Sequence, residues 1–104
     1  MAVTELSDNN FEQSIASALT FVDFWAPWCR PCLAIAPIVE ELSNEMDTVK
    51  FAKINVDDNQ SVAQKFQITS IPTMILFKDG QMVDRVIGQM PKPQLKAFIQ
   101  KHLG

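Results

Sequence analysis

A chain of 104 residues with 47% hydrophobic content suits one domain, 1–104, with a single core that needs no covalent staples. Its formal charge of −3, with nine Lys and Arg scattered along the chain, leaves no electrostatic footprint for nucleic acid. No stretch approaches the length of a membrane span, and Met1-Ala2-Val3-Thr4-Glu5-Leu6 has neither a basic nor an apolar export region. The expectation is a soluble, cytoplasmic protein with no membrane partner.

Strand-like and helix-like patterns alternate without linker, repeat or low-complexity tract. After a short apolar start, Ser7 is an acceptable N-cap for a first helix carrying Phe11, Ile15 and Leu19 at four-residue spacing. Thr20-Phe21-Val22-Asp23-Phe24-Trp25 is β-branched, aromatic and nearly continuous in apolar character, as a central strand covered on both faces should be. From 30 to about 46, Leu33, Ile35, Ala36, Ile38, Val39 and Leu42 follow a helical period, with a kink expected at Pro37. Residues 49–56 form a second buried strand. Asn59 can cap a short helix with Val62 and Phe66, and residues 73–77 form a third strand. Lys78-Asp79-Gly80-Gln81 is too short for a parallel crossover and joins that strand to 82–87 as an antiparallel hairpin, so the sheet is mixed. Pro91 and Pro93 precede Leu95, Phe98, Ile99 and Leu103, the stripe of an amphipathic helix. Helices on both faces of the sheet give a three-layer α/β/α domain.

The two cysteines, the most informative residues, sit three apart in Trp28-Cys29-Arg30-Pro31-Cys32, where strand gives way to helix. A thiol at a helix N-terminus faces unpaired N–H groups and the positive end of the helix dipole, which stabilise its reactive thiolate. Cys29 is the candidate nucleophile. Cys32, one turn on, is near enough to close a disulfide with it and is the candidate resolving thiol. The competing reading is half of a zinc site, since such spacing is common among thiolate ligands. It fails on ligand count within one chain, because the remaining soft donor, His102, belongs to the last turn of the final helix, where a solvated imidazole suits the dipole. A site shared by two chains stays open, but no metal is assigned.

Asp23 contradicts the apolar character of its strand. It could face water from an edge strand, but Phe21 and Trp25 share its side under period-two alternation, which favours burial. A buried carboxylate is harder to ionise and can relay a proton, with Cys32 as its natural client. Lys53, in another largely apolar segment, is the candidate charge partner, although spacing alone cannot show that the two touch.

Over nearly its whole length the chain resembles the thioredoxin family. The resemblance lies in Val22-Asp23-Phe24-Trp25-Ala26, the Trp28-Cys29-x-Pro31-Cys32 site, and Ile35-Ala36-Pro37. It continues in Ala52-Lys53-Ile54-Asn55-Val56-Asp57, Ile71-Pro72-Thr73, Leu76-Phe77-Lys78-Asp79-Gly80 and Val86-Ile87-Gly88. It implies a thioredoxin fold, with about five strands in a central mixed sheet covered by four helices, and a cis peptide before Pro72. It also implies a dithiol reductant of protein disulfides that binds no cofactor and is recharged from NADPH through thioredoxin reductase; a monomer is the expected state, although the sequence itself does not fix it. The chain itself has no glycine-rich phosphate loop for a nicotinamide. The resemblance places the Ile71-Pro72 loop beside the cysteines, so that Trp28, Ile71, Pro72, Gly88 and Gln89 form an apolar collar for an extended substrate segment.

Arg30 stands between the cysteines where most of the family has Gly, and Leu33 follows Cys32 where Lys is frequent. With Pro31, Arg30 is assigned to redox tuning: a guanidinium beside Cys29 favours its thiolate and hence the reduced form. The plainer alternative is a solvated side chain. Two other functions stay open: a binding subunit that uses the fold without its thiols, and an oxidant or isomerase.

Overall fold

Strand and helix alternate through residues 3–103, which the computed structural model describes. The order is β1 (Val3–Leu6), α1 (Phe11–Ser14), β2 (Leu19–Trp25), α2 (Arg30–Glu45), β3 (Lys50–Asn55), α3 (Gln60–Lys65), β4 (Thr73–Lys78), β5 (Gln81–Ile87) and α4 (Lys92–Gln100). The sheet runs β1-β3-β2-β4-β5. β1, β3 and β2 are parallel, whereas β4 and β5 run antiparallel to their neighbours, so the sheet is mixed with β2 at its centre.

Alternation along β2 explains its nearly continuous apolar sequence. Phe21 joins Phe51, Met74 and Leu76 on one face, beneath Ile35, Val39 and Leu42 of α2 and Leu95 and Ile99 of α4. Val22 and Phe24 join Ala52, Ile54, Ile75 and Phe77 on the other, beneath Phe11, Ile15 and Val62. Each face of β2 therefore meets a helix layer. α2 continues through Pro37, whose missing N–H would have reached the Leu33 carbonyl. Among the described residues no helix is long and apolar enough to cross a membrane.

Helix termini depart from the sequence expectation. Ser7 is not an N-cap; its N–H donates to Asn10 Oδ1 at 2.8 Å, α1 is a single turn starting at Phe11, and Leu19 already belongs to β2. One turn cannot hold itself together. Phe11 holds it, fully buried with its ring centroid 5.5 Å from Phe66, 5.6 Å from Phe77 and 6.2 Å from Phe24. Asn59 occupies the N-cap position of α3, but its side chain accepts from the Asp8 N–H and donates to the Asn55 carbonyl. The cap bond comes from Asp8, whose Oδ1 accepts the Val62 N–H at 3.0 Å. Neighbours in space thus replace the local cap that sequence suggested. His102 lies beyond α4, half-buried, with Nε2 2.8 Å from Asp84 Oδ2, so it ties the C-terminal segment to β5 rather than sitting solvated in the last turn.

The β4–β5 hairpin turns on Asp79 and Gly80, with φ of 51° and 88°, the paired left-handed residues of a type I′ connection. Asp79 also accepts the Ala18 N–H through Oδ1 at 3.0 Å and donates its own N–H to the Ala18 carbonyl, which locks the hairpin to the start of β2.

Candidate redox site

β2 delivers the chain to the site. Beyond Trp25 the backbone turns through Ala26, Pro27 and Trp28, with the Cys29 N–H returning to the Ala26 carbonyl at 3.1 Å. Cys29 then takes the N-cap position of α2 in extended conformation, and its Sγ accepts the Cys32 N–H at 3.2 Å. A cap site normally holds Ser, Thr, Asp or Asn; sulfur here fills that role toward one first-turn N–H group, that of Cys32. Pro31, in the first turn, has no N–H to leave unpaired there. The sulfurs of Cys29 and Cys32 are joined in a disulfide, with Cα atoms 5.2 Å apart, and both residues are buried.

Around them, Ile71 places its carbonyl oxygen 3.8 Å from Cys29 Sγ and packs against the cysteine cluster. The Ile71–Pro72 peptide is cis, as the family resemblance implies. Gly88, at φ 101°, donates its N–H to the Pro72 carbonyl at 2.8 Å, which brings the end of β5 against the cis loop. Ile71 is half-buried and Pro72 buried, while Gln89, Arg30 and Pro31 face solvent. Trp28 is 67% exposed. Its Nε1–H donates to Oδ2 and Oδ1 of Asp57, at 3.0 and 3.2 Å. Leu33 and Ile87 are also exposed and flank Cys32 and Gly88 in sequence. Asp57 and Ile87 carried no role in the sequence reading. An exposed tryptophan with an N–H to satisfy was the available signal for Asp57.

Asp23 is buried in the central strand, which disposes of the water-facing edge alternative. It occupies the sheet face covered by α2, and its Oδ1 has no hydrogen-bond partner among the described residues. Burial pushes its pKa up from 3.8 to about 7, against a lowering pull from Lys53 and with a further upward push from Glu5. Lys53 is its register partner on β3, and Glu5 is the partner of Lys53 on β1, so the three form one row across adjacent strands. Lys53 is half-exposed. Its ammonium lies 3.8 Å from Glu5 and 5.3 Å from the centroid of the Trp25 ring, and no ion pair joins it to Asp23 among the described residues. Glu5 was the member of this row that the sequence reading missed, because β1 was legible there only as a short apolar start.

The described residues contain no cluster of three or more His, Cys, Asp or Glu able to hold a metal. The chain matches the Thioredoxin family model over residues 2–101. It belongs to the thioredoxin family. It is 49% identical to the thioredoxin of Staphylococcus saprophyticus and 48% to that of Staphylococcus haemolyticus, in each case over 99% of this chain and all of the relative. The thioredoxin of Staphylococcus aureus is 45% identical over the same span. With a Cys-x-x-Cys pair closed into a disulfide at the head of α2, this thioredoxin-family chain is a thiol–disulfide oxidoreductase, a dithiol carrier that reduces disulfides.

Proposed function

We propose that the Cys29 thiolate opens a target protein's disulfide. One target sulfur leaves as thiolate and the other is held in a mixed disulfide with Cys29. Cys32, its proton taken by Asp23, then attacks Cys29 Sγ, which releases the second target thiol and leaves the Cys29–Cys32 disulfide. Two electrons pass to the target; they are restored by thioredoxin reductase drawing on NADPH, and no cofactor is bound by the chain. Lys53 tunes Asp23, and Arg30 and Pro31 tune the couple. Trp28, Ile71, Pro72, Gly88 and Gln89 receive an extended, disulfide-containing segment, with the Ile71 backbone available as a strand partner. The chain works as one domain, 1–104, as a monomer in the cytoplasm.

The observation that carries this reading is the inequality of the two sulfurs: Cys29 Sγ accepts the N–H of Cys32 at the N-cap of α2. Insulin-disulfide reduction, driven first by dithiothreitol and then by NADPH with candidate thioredoxin reductases, tests it. Cys29→Ser should abolish turnover. Cys32→Ser should still attack but stall as a mixed disulfide visible by mass spectrometry. Adducts forming equally on either single variant would reverse the assignment.

A further inference from the structure

β1, β3 and β2 run parallel and in register, so Glu5, Lys53 and Asp23 point to the same face of the sheet in a single row. The row grades from wet to dry: the Glu5 side chain is 49% exposed, that of Lys53 is 39% exposed, and Asp23 is 3% exposed. One ammonium stands between two carboxylates. It lies on the outer one, 3.8 Å from Glu5 Oε1, and is further steadied over the Trp25 ring. The inner carboxylate keeps a buried oxygen with no partner among the described residues.

Among the described residues no other cation faces Asp23 that could substitute for Lys53. β4 places Met74 opposite it, α2 brings Ile35 to its face, the buried Cys32 clusters with Ala26 and Cys29 against Trp25, two residues along β2 from Asp23, and α4 turns Leu95 and Ile99 inward. Lys92 and Lys96 of α4 are committed to Glu41 and Glu45. Burial is the main cause that raises the Asp23 carboxyl, and the Lys53 ammonium is the cation that opposes it, so where that ammonium rests modulates Asp23 and Glu5 influences where that is.

We propose that Glu5 is a positioning residue for the redox reaction: by drawing the Lys53 ammonium to the outer end of the row, it withholds that cation from Asp23 and keeps Asp23 a proton acceptor for Cys32. The proposal rests on the reading of Asp23 as the base for the resolving thiol. The proton passes from the Cys32 thiol to the Asp23 carboxylate, the Cys32 thiolate attacks Cys29 Sγ in the mixed disulfide, and the target thiolate leaves. A carboxylate whose cation is held elsewhere binds a proton more readily. Glu5 acts in two ways with the same sign: through its own negative charge two strands away, and by competing for Lys53.

The test compares wild type with Glu5→Gln, Glu5→Asp, Asp23→Asn and the Glu5→Gln/Asp23→Asn double variant. Glu5 is half-exposed on an edge strand, so its two substitutions leave the core intact, and Asp23→Asn keeps the shape of the buried side chain. The ¹³C NMR titration of the Asp23 carboxyl carbon in the oxidised protein reads the electrostatics directly. The pH dependence of target-thiol release in single turnover reads the consequence. Glu5→Gln should lower both midpoints by roughly half a pH unit, the size expected of one partly screened charge at such a distance. Glu5→Asp should restore most of the wild-type value, and the kinetic shift should vanish in the double variant. An unmoved NMR midpoint in Glu5→Gln overturns the proposal while leaving Asp23 as base. A kinetic profile indifferent to Asp23→Asn overturns the reading of Asp23 itself, and the proposal with it.

Discussion

Trp28 is held in place by Asp57: the indole N–H reaches both carboxylate oxygens, at 3.0 and 3.2 Å, from the turn that follows β3. The contact bridges the two parallel strands that end at the site, since the Val56 N–H also bonds the Trp25 carbonyl at 2.9 Å. A large, exposed aromatic would otherwise sample several rotamers, and each would have to be lost again on docking a target. Asp57→Ala should therefore raise KM for insulin by about fivefold, the equivalent of roughly 1 kcal/mol for one exposed hydrogen bond to a charged acceptor. Asp57→Asn should retain most of the wild-type value, and a small disulfide that does not span the collar should be reduced at an unchanged rate. An equal loss on both substrates would move Asp57 from target docking to the chemistry of the cysteines.

In the proposed mechanism Asp23 links redox chemistry to stability, with opposite signs. Its carboxyl is raised from 3.8 to about 7, so between those values the folded chain holds a proton that the unfolded chain has released. Below about pH 4 both states are largely protonated and the residue carries no ionisation penalty, only that of a buried neutral polar group. As pH rises toward 7 the unfolded state gains by ionising and stability falls; above 7 the penalty is constant. A carboxyl raised from 3.8 to about 7 corresponds to at most roughly 4 kcal/mol. Asp23→Ala should raise Tm clearly at pH 8 and by much less at pH 4, while target-thiol release slows near neutral pH. Urea unfolding of both proteins at the two pH values checks the first part. A gain independent of pH would mean that packing, not ionisation, sets the cost.

Elements whose cause is local were legible in the sequence. The Asp79-Gly80 hairpin follows from two residues that accept positive φ, and the covering of β2 on both faces follows from an apolar run broken only by Asp23. The cysteine site was readable because a three-residue spacing at a strand-to-helix junction already contains its geometry. What escaped depends on contacts between distant segments. Asp8 caps a helix 54 positions away, and the α1 turn exists because three remote phenylalanines surround Phe11. Glu5 becomes part of the Asp23 environment only through the pairing of β1 with β3. Periodicity shows which face a residue takes within its strand, but not which strand will lie beside it.

The dependence of α1 on tertiary packing gives a stability prediction. Phe11 is fully buried, and its ring meets those of Phe24, Phe66 and Phe77 from three sides. Truncation removes most of the apolar surface that binds the first turn to the sheet and leaves a cavity that the surrounding rings cannot fill. Phe11→Ala should cost about 3–5 kcal/mol, seen as a lower urea midpoint with little change in slope. Cys29 belongs to a separate buried cluster with Ala26 and Cys32, so the redox potential should not move. A loss below about 1 kcal/mol would show that the α1 segment contributes little to the cooperative core.

Arg30 is the residue between the cysteines at which the chain leaves the usual family pattern, and the structure places it at the first helical position, exposed and adjacent to Cys29. In the proposed tuning role a cation there would stabilise the Cys29 thiolate, which exists only in the reduced protein, and so favour reduction and make the couple a weaker reductant. The helix N-terminus acts on the same sulfur in the same direction, and exposure limits what Arg30 adds through solvent screening. Arg30→Gly should shift the potential to more negative values by roughly 15 mV, which is about 0.7 kcal/mol for a two-electron couple. Glycine also gives the reduced chain more backbone freedom, which favours the dithiol and opposes part of that shift. Arg30→Lys isolates the charge, because it preserves the cation without loosening the backbone. Equilibration of the three proteins against glutathione buffers measures the potentials. The Lys variant should match wild type, with the Gly variant lower; three equal values would leave Arg30 a solvated side chain with no part in setting the couple.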